Sequence, residues 1–246
     1  MDPKDLDEHT GYRPEFKFHD ENLRMLSWYA GRLSRTLIRA DVRSLLSLGI
    51  GHRVVSQRLL ADLSGTLRQY TIVEGSAARI AELRETASLP ALLRIEEAYF
   101  EEFTPTAELD AIEMGFVLEH VEDPLLVLRR YAGFLKPGGA LVVVVPNARS
   151  LHRLLGHEAG LLDDVHRLSP EDLELGHRRY FDLASLRALV AEAGLEVRIA
   201  EGIFLKPLTT GQLQRLSLPP AVDEAFFKLG VFYPDIANAI YLETTR

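Results

Sequence analysis

Two glycines and a carboxylate are the first residues in this sequence whose types and spacing suggest chemistry. In VRSLLSLGIGHRVVSQRLL, residues 42–60, Gly49 and Gly51 follow directly on an apolar run. Glycine there lets the backbone turn sharply and approach a ligand with no Cβ in the way. Glu74 closes the next apolar run, 23 residues after Gly51. A carboxylate at that spacing can accept hydrogen bonds from both hydroxyls of a ribose. Loop and carboxylate together favour a nucleoside-bearing ligand over an ordinary tight turn beside a solvated side chain. Arg53 stands where a third glycine usually lets a diphosphate approach the helix N–H groups. A cofactor without phosphates tolerates that arginine better, and S-adenosylmethionine is one.

The elements that must position these residues alternate along the chain. Residues 21–39 carry Leu23, Leu26, Tyr29, Leu33 and Leu37 at helical spacing. Then strands are expected at VRSLLSL, RQYTIVEGS, LLRIEEAYF, LDAIEMG, ALVVVVPN, EVRIAEGIFLKP and AIYLETTR. Helices are expected at VVSQRLLADL, at SAARIAELRETA with Ser76 as N-cap, at VEDPLLVLRRYAGFL with Pro124 in its first turn, and at LASLRALVAEAGL ending on Gly194. KPGG reads as a turn. Such alternation predicts an α/β fold: a doubly wound, mostly parallel seven-stranded sheet with helices on both faces. The expected organisation is one domain over 1–246. Residues 1–39 form an N-terminal helical cap, 40–148 a cofactor-binding core, 149–180 an insertion acting as a lid, and 181–246 the rest of the sheet.

Composition narrows the classes of function. A formal net charge of −8 over 246 residues repels phosphate backbones, so nucleic acid is not the expected partner. The absence of cysteine removes disulfides, thiolate catalysis and cysteine metal sites together. MDPKDLDEHTGYRPEF has no apolar signal core, and the longest apolar run, ALVVVV at 140–145, is far too short to span a bilayer. A cytoplasmic protein that does not engage the membrane is the expectation. A homodimer is left open.

A longer stretch carries a specific resemblance. LDAIEMGFVLEHVEDPLLVLRRYAGFLKPGGALVVVVPN, residues 109–147, holds Asp110 in a strand, then Leu118, Glu119, His120 and Val121, a helix, and Lys136 to Gly139 before another strand. That order resembles the class I S-adenosylmethionine-dependent methyltransferases. GHRRYFDLASLRALVAEAGLEV resembles the helix and strand that follow in their small-molecule members, so the likeness covers roughly residues 40–205. It implies a Rossmann-like methyltransferase fold with S-adenosylmethionine at Gly49, Gly51 and Glu74. It further implies that Ala98, Tyr99 and Phe100 lie along the adenine and that Met114 and Gly115 line the methionine part. Two positions depart from the pattern. Ser47 stands where members usually carry an acidic residue that organises the methionine end, and Arg53 stands where they carry glycine.

The resemblance places His120 just past the fourth strand, beside a methyl acceptor. A neutral imidazole there can take a proton from a hydroxyl or ammonium acceptor. The other reading is that His120 orders its loop. Candidates for the acceptor site are Tyr12 and Arg13 before the first helix, and His152, Arg153, His177, Arg178, Arg179 and Tyr180 in the insertion. Basic groups on an acidic chain suggest a small substrate with a carboxylate or phosphate. Surface pairing with Asp163, Asp164, Glu171 and Asp172 weighs equally. No histidine pairs with a partner at metal-ligand spacing, and His152 and His157, five apart, match no ligand pattern, so no metal is expected. The expected activity is methyl transfer to an oxygen or nitrogen of a small metabolite, such as a sugar or a natural-product intermediate. The rivals are a nicotinamide-dependent oxidoreductase and a methyltransferase fold turned to binding or assembly.

Overall fold

Seven strands form one sheet in the computed structural model, which describes residues 16–86 and 89–246. They are β1 (Ser44–Leu48), β2 (Gln69–Glu74), β3 (Leu93–Glu97), β4 (Leu109–Gly115), β5 (Leu135–Pro146), β6 (Glu196–Ile203) and β7 (Ala239–Thr245). Their order is β3-β2-β1-β4-β5-β7-β6. The first five are parallel, and β7 runs antiparallel between β5 and β6. All seven strands lie where the apolar runs placed them.

Central parallel strands bury both faces, and their residues divide by parity. Leu45, Ala111 and Val142 face α1 (His19–Arg39), α2 (Arg53–Asp62) and α3 (Ala77–Thr86), packing with Leu33, Leu59 and Ile80. Leu46, Ile112 and Val143 face α4 (Pro124–Ala132) and α7 (Leu183–Glu192), packing with Val127 and Leu186. Local chemistry sets the helix ends. Asp123 Oδ1 accepts from Leu126 N at 2.9 Å ahead of Pro124, Ser76 Oγ accepts from Arg79 N at 3.1 Å, and Gly194 leaves α7 with φ +79°.

Two features differ from the sequence expectation. KPGG is not a free turn but the bulged start of β5: Gly138 has φ +76°, and the register against β4 shifts between Leu109 and Ala111. The stretch before β7 forms two helices, α8 (Thr210–Leu216) and α9 (Pro220–Gly230), where none was expected.

The insertion carries α5 (Leu151–Glu158) and α6 (Pro170–Glu174). Its end is fastened to the loop after β4. Arg178 N donates to Glu119 O at 2.8 Å, and the Arg179 guanidinium donates to the carbonyls of Leu118, Val121 and Glu122. On the other side a buried polar knot joins α1 to the C-terminal half. Lys206 Nζ reaches Glu21 at 2.5 Å and Thr210 at 2.8 Å, and its carbonyl accepts from His152 N at 3.1 Å. Among the described residues no helix is long and apolar enough to cross a membrane.

Candidate active site

The sheet reverses its winding between β1 and β4, and the crevice beyond the carboxyl ends there is where such sheets bind ligands. The glycine loop sits in it. Gly49 and Gly51 adopt φ +81° and +53°, values that disfavour a side chain. Gly49 N donates to Val73 O at 2.7 Å, drawing the loop across the end of β2. Glu74 stands behind it: its carboxylate accepts from Ile50 N at 3.0 Å and Ser76 N at 2.9 Å. A carboxylate has about four lone-pair positions, so two remain for a ribose. Arg79 ties the same corner, donating to Gly51 O at 2.5 Å. Arg53, at the start of α2, is exposed.

The residues expected along the adenine lie just past β3. Phe100 brings its ring to 3.9 Å from the place a Cβ on Gly49 would occupy, so it faces the loop. Tyr99 is half-buried, and its carbonyl accepts from the N–H groups of Glu102 and Phe103. Met114 is a correction. It is fully buried among the residues facing α4 and α7, on the opposite side of the sheet from Ser47 and the loop cavity. Gly115 does border that cavity, and a Cβ on it would come within 2.5 Å of Glu113 Oε1.

The cavity behind the loop holds about 30 Å³. Ser47, Tyr70, Glu113 and Tyr29 of α1 line it with polar atoms. Glu113 Oε1 accepts from Tyr29 Oη at 2.5 Å and Gly115 N at 2.8 Å. Ser47 Oγ bonds Tyr70 Oη at 3.0 Å and also supports the Glu113 carboxylate. Burial raises the Glu113 pKa, and these hydrogen bonds partly offset it. Burial likewise raises the Tyr29 phenol far above its ordinary value, with the Glu113 charge adding to it. Sequence reading missed Glu113. Its signal was an acidic residue inside the apolar strand LDAIEMG.

Past β4, a second cluster forms between the loop and the insertion. His120 Nδ1 lies 3.3 Å from Gly176 O, and its ring centroid is 4.8 Å from that of His177. Glu119 is fully buried with neither carboxylate oxygen hydrogen-bonded among the described residues. Burial pushes it up to about 7, against the pull of His177 and Arg179. His177 Nδ1 stands 3.2 Å from Asp172 Oδ1, a contact close enough for an ion pair but not aligned as a hydrogen bond. Asp172 is held at about 2: the donors of Ser169 and the adjacent His177 ring overcome its burial. Glu119, His120 and His177 offer ligand atoms within 4.8 Å of one another, a set that could approach a metal ion. Spacing along the chain gave no such set, because His177 arrives from 57 residues away.

The other acceptor candidates scatter. His152 is half-buried on α5, with its pKa lowered to about 3 by desolvation and by Lys206 and Arg153, so its ring is neutral. Arg153 spends its donors on Val165 O, Arg167 O and Tyr180 Oη. Arg178 is exposed. Neither His120 nor Arg178 borders the cavity at the glycine loop. Of the carboxylates expected to pair with the basic cluster, Asp163 meets Arg167, Glu171 meets Lys17, Asp164 meets His166 and Asp172 meets His177. Tyr12 and Arg13 lie outside the described residues.

Strand order, glycine loop and strand-end carboxylate define a Rossmann-like fold of the class I methyltransferase type. A methyltransferase domain family model matches residues 21–199. The chain belongs to that family, as an S-adenosylmethionine-dependent methyltransferase domain. The ubiquinone biosynthesis O-methyltransferase of Pseudoalteromonas translucida (strain TAC 125) is 29% identical over 106 residues, 42% of each chain. The match thus spans about two fifths of that curated relative. Among solved structures, the mitomycin 7-O-methyltransferase MmcR is 17% identical with a TM-score of 0.58, over 100% of this chain and 61% of that one. The N-methyltransferase NodS from Bradyrhizobium japonicum WM9, in complex with S-adenosyl-L-homocysteine, is 12% identical with a TM-score of 0.56, over 98% of this chain and 95% of that one. The residues at the loop fit S-adenosylmethionine: two glycines leave room for the backbone to approach, and carboxylates stand at β2 and β4.

Proposed function

We infer that this domain methylates a small metabolite, with a hydroxyl oxygen the acceptor its side chains suit best and an amine nitrogen the second. The observation that carries the choice is the gathering of Glu119, His120 and His177 beyond β4, on the side of the loop away from Glu74. An alcohol or phenol must lose a proton as its oxygen is alkylated, so a base beside it helps. The curated relative's printed role, an O-methyltransferase in ubiquinone biosynthesis, supports the same choice.

The parts divide as follows. Bound S-adenosylmethionine supplies an electrophilic sulfonium methyl, so alignment provides much of the rate. Gly49, Gly51 and Glu74 hold the nucleoside, and Phe100 flanks it. A carbonyl only accepts, so contact with Gly176 O puts the His120 proton on Nδ1 and leaves the neutral ring's lone pair on Nε2. That Nε2 receives the acceptor's proton. Glu119 beside it, when ionised, stabilises the resulting imidazolium. An anionic group on the acceptor would meet Arg178, since Arg153 and Arg179 are engaged with backbone carbonyls.

The test is release of S-adenosylhomocysteine from S-adenosylmethionine with a panel of phenols, sugars, hydroxy acids and amines. Turnover with hydroxylated members, rising with pH through the imidazole range and losing that step in His120→Ala, is expected. Turnover confined to amines, or a pH step that survives in His120→Ala, would overturn the assignment.

A further inference from the structure

Glu113 is a carboxylate with an unusual setting. It lies mid-sheet in β4, directly opposite Ser47 of β1 in the parallel register. Neighbours in register point to the same face, so the two side chains meet under the glycine loop, in the 30 Å³ cavity. Among the described residues the polar groups that bond Glu113 are donors: the Tyr29 hydroxyl, the Gly115 N–H and the Ser47 hydroxyl. Tyr70 backs Ser47 in turn. Among the described residues no lysine or arginine forms an ion pair with it, unlike the half-buried carboxylates Glu21 and Glu201, which face Lys206 and Arg32. These donors favour the ionised carboxylate while burial works against it, and one small cation beside it would offset that burial.

The layout of the crevice says which cation. Reading across the strand ends, Phe100 follows β3, Glu74 ends β2, the glycines end β1, and Glu113 and Gly115 belong to β4. With the ribose at Glu74 and the base toward Phe100, the amino-acid end of the cofactor extends past the glycines to β4. That end carries an α-ammonium, and the cavity has room for the tip of a ligand rather than the whole of one.

We propose that Glu113 binds the α-ammonium of S-adenosylmethionine, supplying from β4 the carboxylate that Ser47 of β1 does not. Tyr29 orients the Glu113 carboxylate, which makes α1 part of the cofactor site. The inference does not depend on the acceptor.

Calorimetric titration with two ligands tests it. S-Adenosylhomocysteine carries the ammonium, and 5′-methylthioadenosine lacks the whole amino-acid end. Glu113→Gln keeps the shape and removes the charge. It is expected to weaken S-adenosylhomocysteine binding about thirtyfold while leaving methylthioadenosine within about twofold. Equal losses for both ligands, or no loss for either, would overturn the proposal. Ser47→Asp in the Glu113→Gln background returns the carboxylate to the same cavity from the neighbouring strand and should recover S-adenosylhomocysteine binding. Should the variants fail to fold, the wild-type protein decides with the ligand altered instead. S-Adenosylhomocysteine without its α-amino group should bind at least tenfold more weakly than the parent, and equal affinity refutes the assignment.

Discussion

Replacing Glu119 by glutamine should make the protein more stable at pH 8 and change little at pH 4.5. Glu119 is fully buried, and neither of its oxygens has a hydrogen-bond partner among the described residues. Burial lifts its pKa from the ordinary 4.5 to about 7. The folded state therefore holds this proton more tightly than the unfolded chain does. Between pH 4.5 and 7 the native carboxyl stays protonated while the unfolded one ionises, so this group's contribution to stability falls as pH rises and levels off above 7. At 1.36 kcal/mol for each pH unit, the whole effect is about 3 kcal/mol. Glutamine resembles the protonated form at every pH and escapes the loss. Urea unfolding of both proteins across pH 5–8, followed by circular dichroism, reads the difference directly. Chelator belongs in every buffer, because a cation on Glu119 and His177 would hold the carboxylate ionised and flatten the slope. A stability difference that does not change with pH would refute the reasoning.

Three further outcomes are expected. Glu74→Ala should weaken S-adenosylhomocysteine binding by about 1–3 kcal/mol, and an unchanged dissociation constant would remove Glu74 from the site. His120→Ala should lower turnover by about 10²–10⁴ with cofactor affinity intact; lost stability with turnover per folded molecule preserved would make it a loop support instead. Gly202→Ala should destabilise the fold by about 1–3 kcal/mol in urea, because its Cβ would come within 2.3 Å of Ala237 Cβ and 2.4 Å of Gly230 O; an unchanged midpoint would show that β6 gives way there.

The fold was legible because its signals are local. Apolar runs such as SLLSL and ALVVVV need only be short and bounded by turns to read as buried strands, and helix-start signals such as Pro124 and Ser76 act within one helical turn. The helices α8 and α9 were not legible for the same reason. They are 7 and 11 residues long and broken by Ser217 at φ +47° and a pair of prolines. No single helical period runs through them. The bulge at KPGG escaped because a glycine at φ +76° reads alike in a turn and in an irregular strand.

The site divides along a different line. Gly49, Gly51 and Glu74 could be read as candidates because their pattern depends on position along the chain. Parity was not. In a strand buried on both faces, alternation carries no sign of which residue faces which layer. Hence Met114 was assigned to the ligand although it faces α4 and α7, and Glu113, one residue earlier, went unnoticed. The arginines of the insertion misled for another reason. A guanidinium has five donors, and counting it as free for a substrate assumes that no backbone carbonyl has taken them. Arg153 is so engaged within the insertion and Arg179 on the loop after β4, so these charges serve the insertion's own packing and attachment. That attachment has a chemical consequence. By docking Gly176 and His177 against Glu119 and His120, it builds the titratable cluster from two segments that neither carries alone. On the proposed function, acceptor chemistry depends on the insertion's packing as much as on the histidine the sequence singled out.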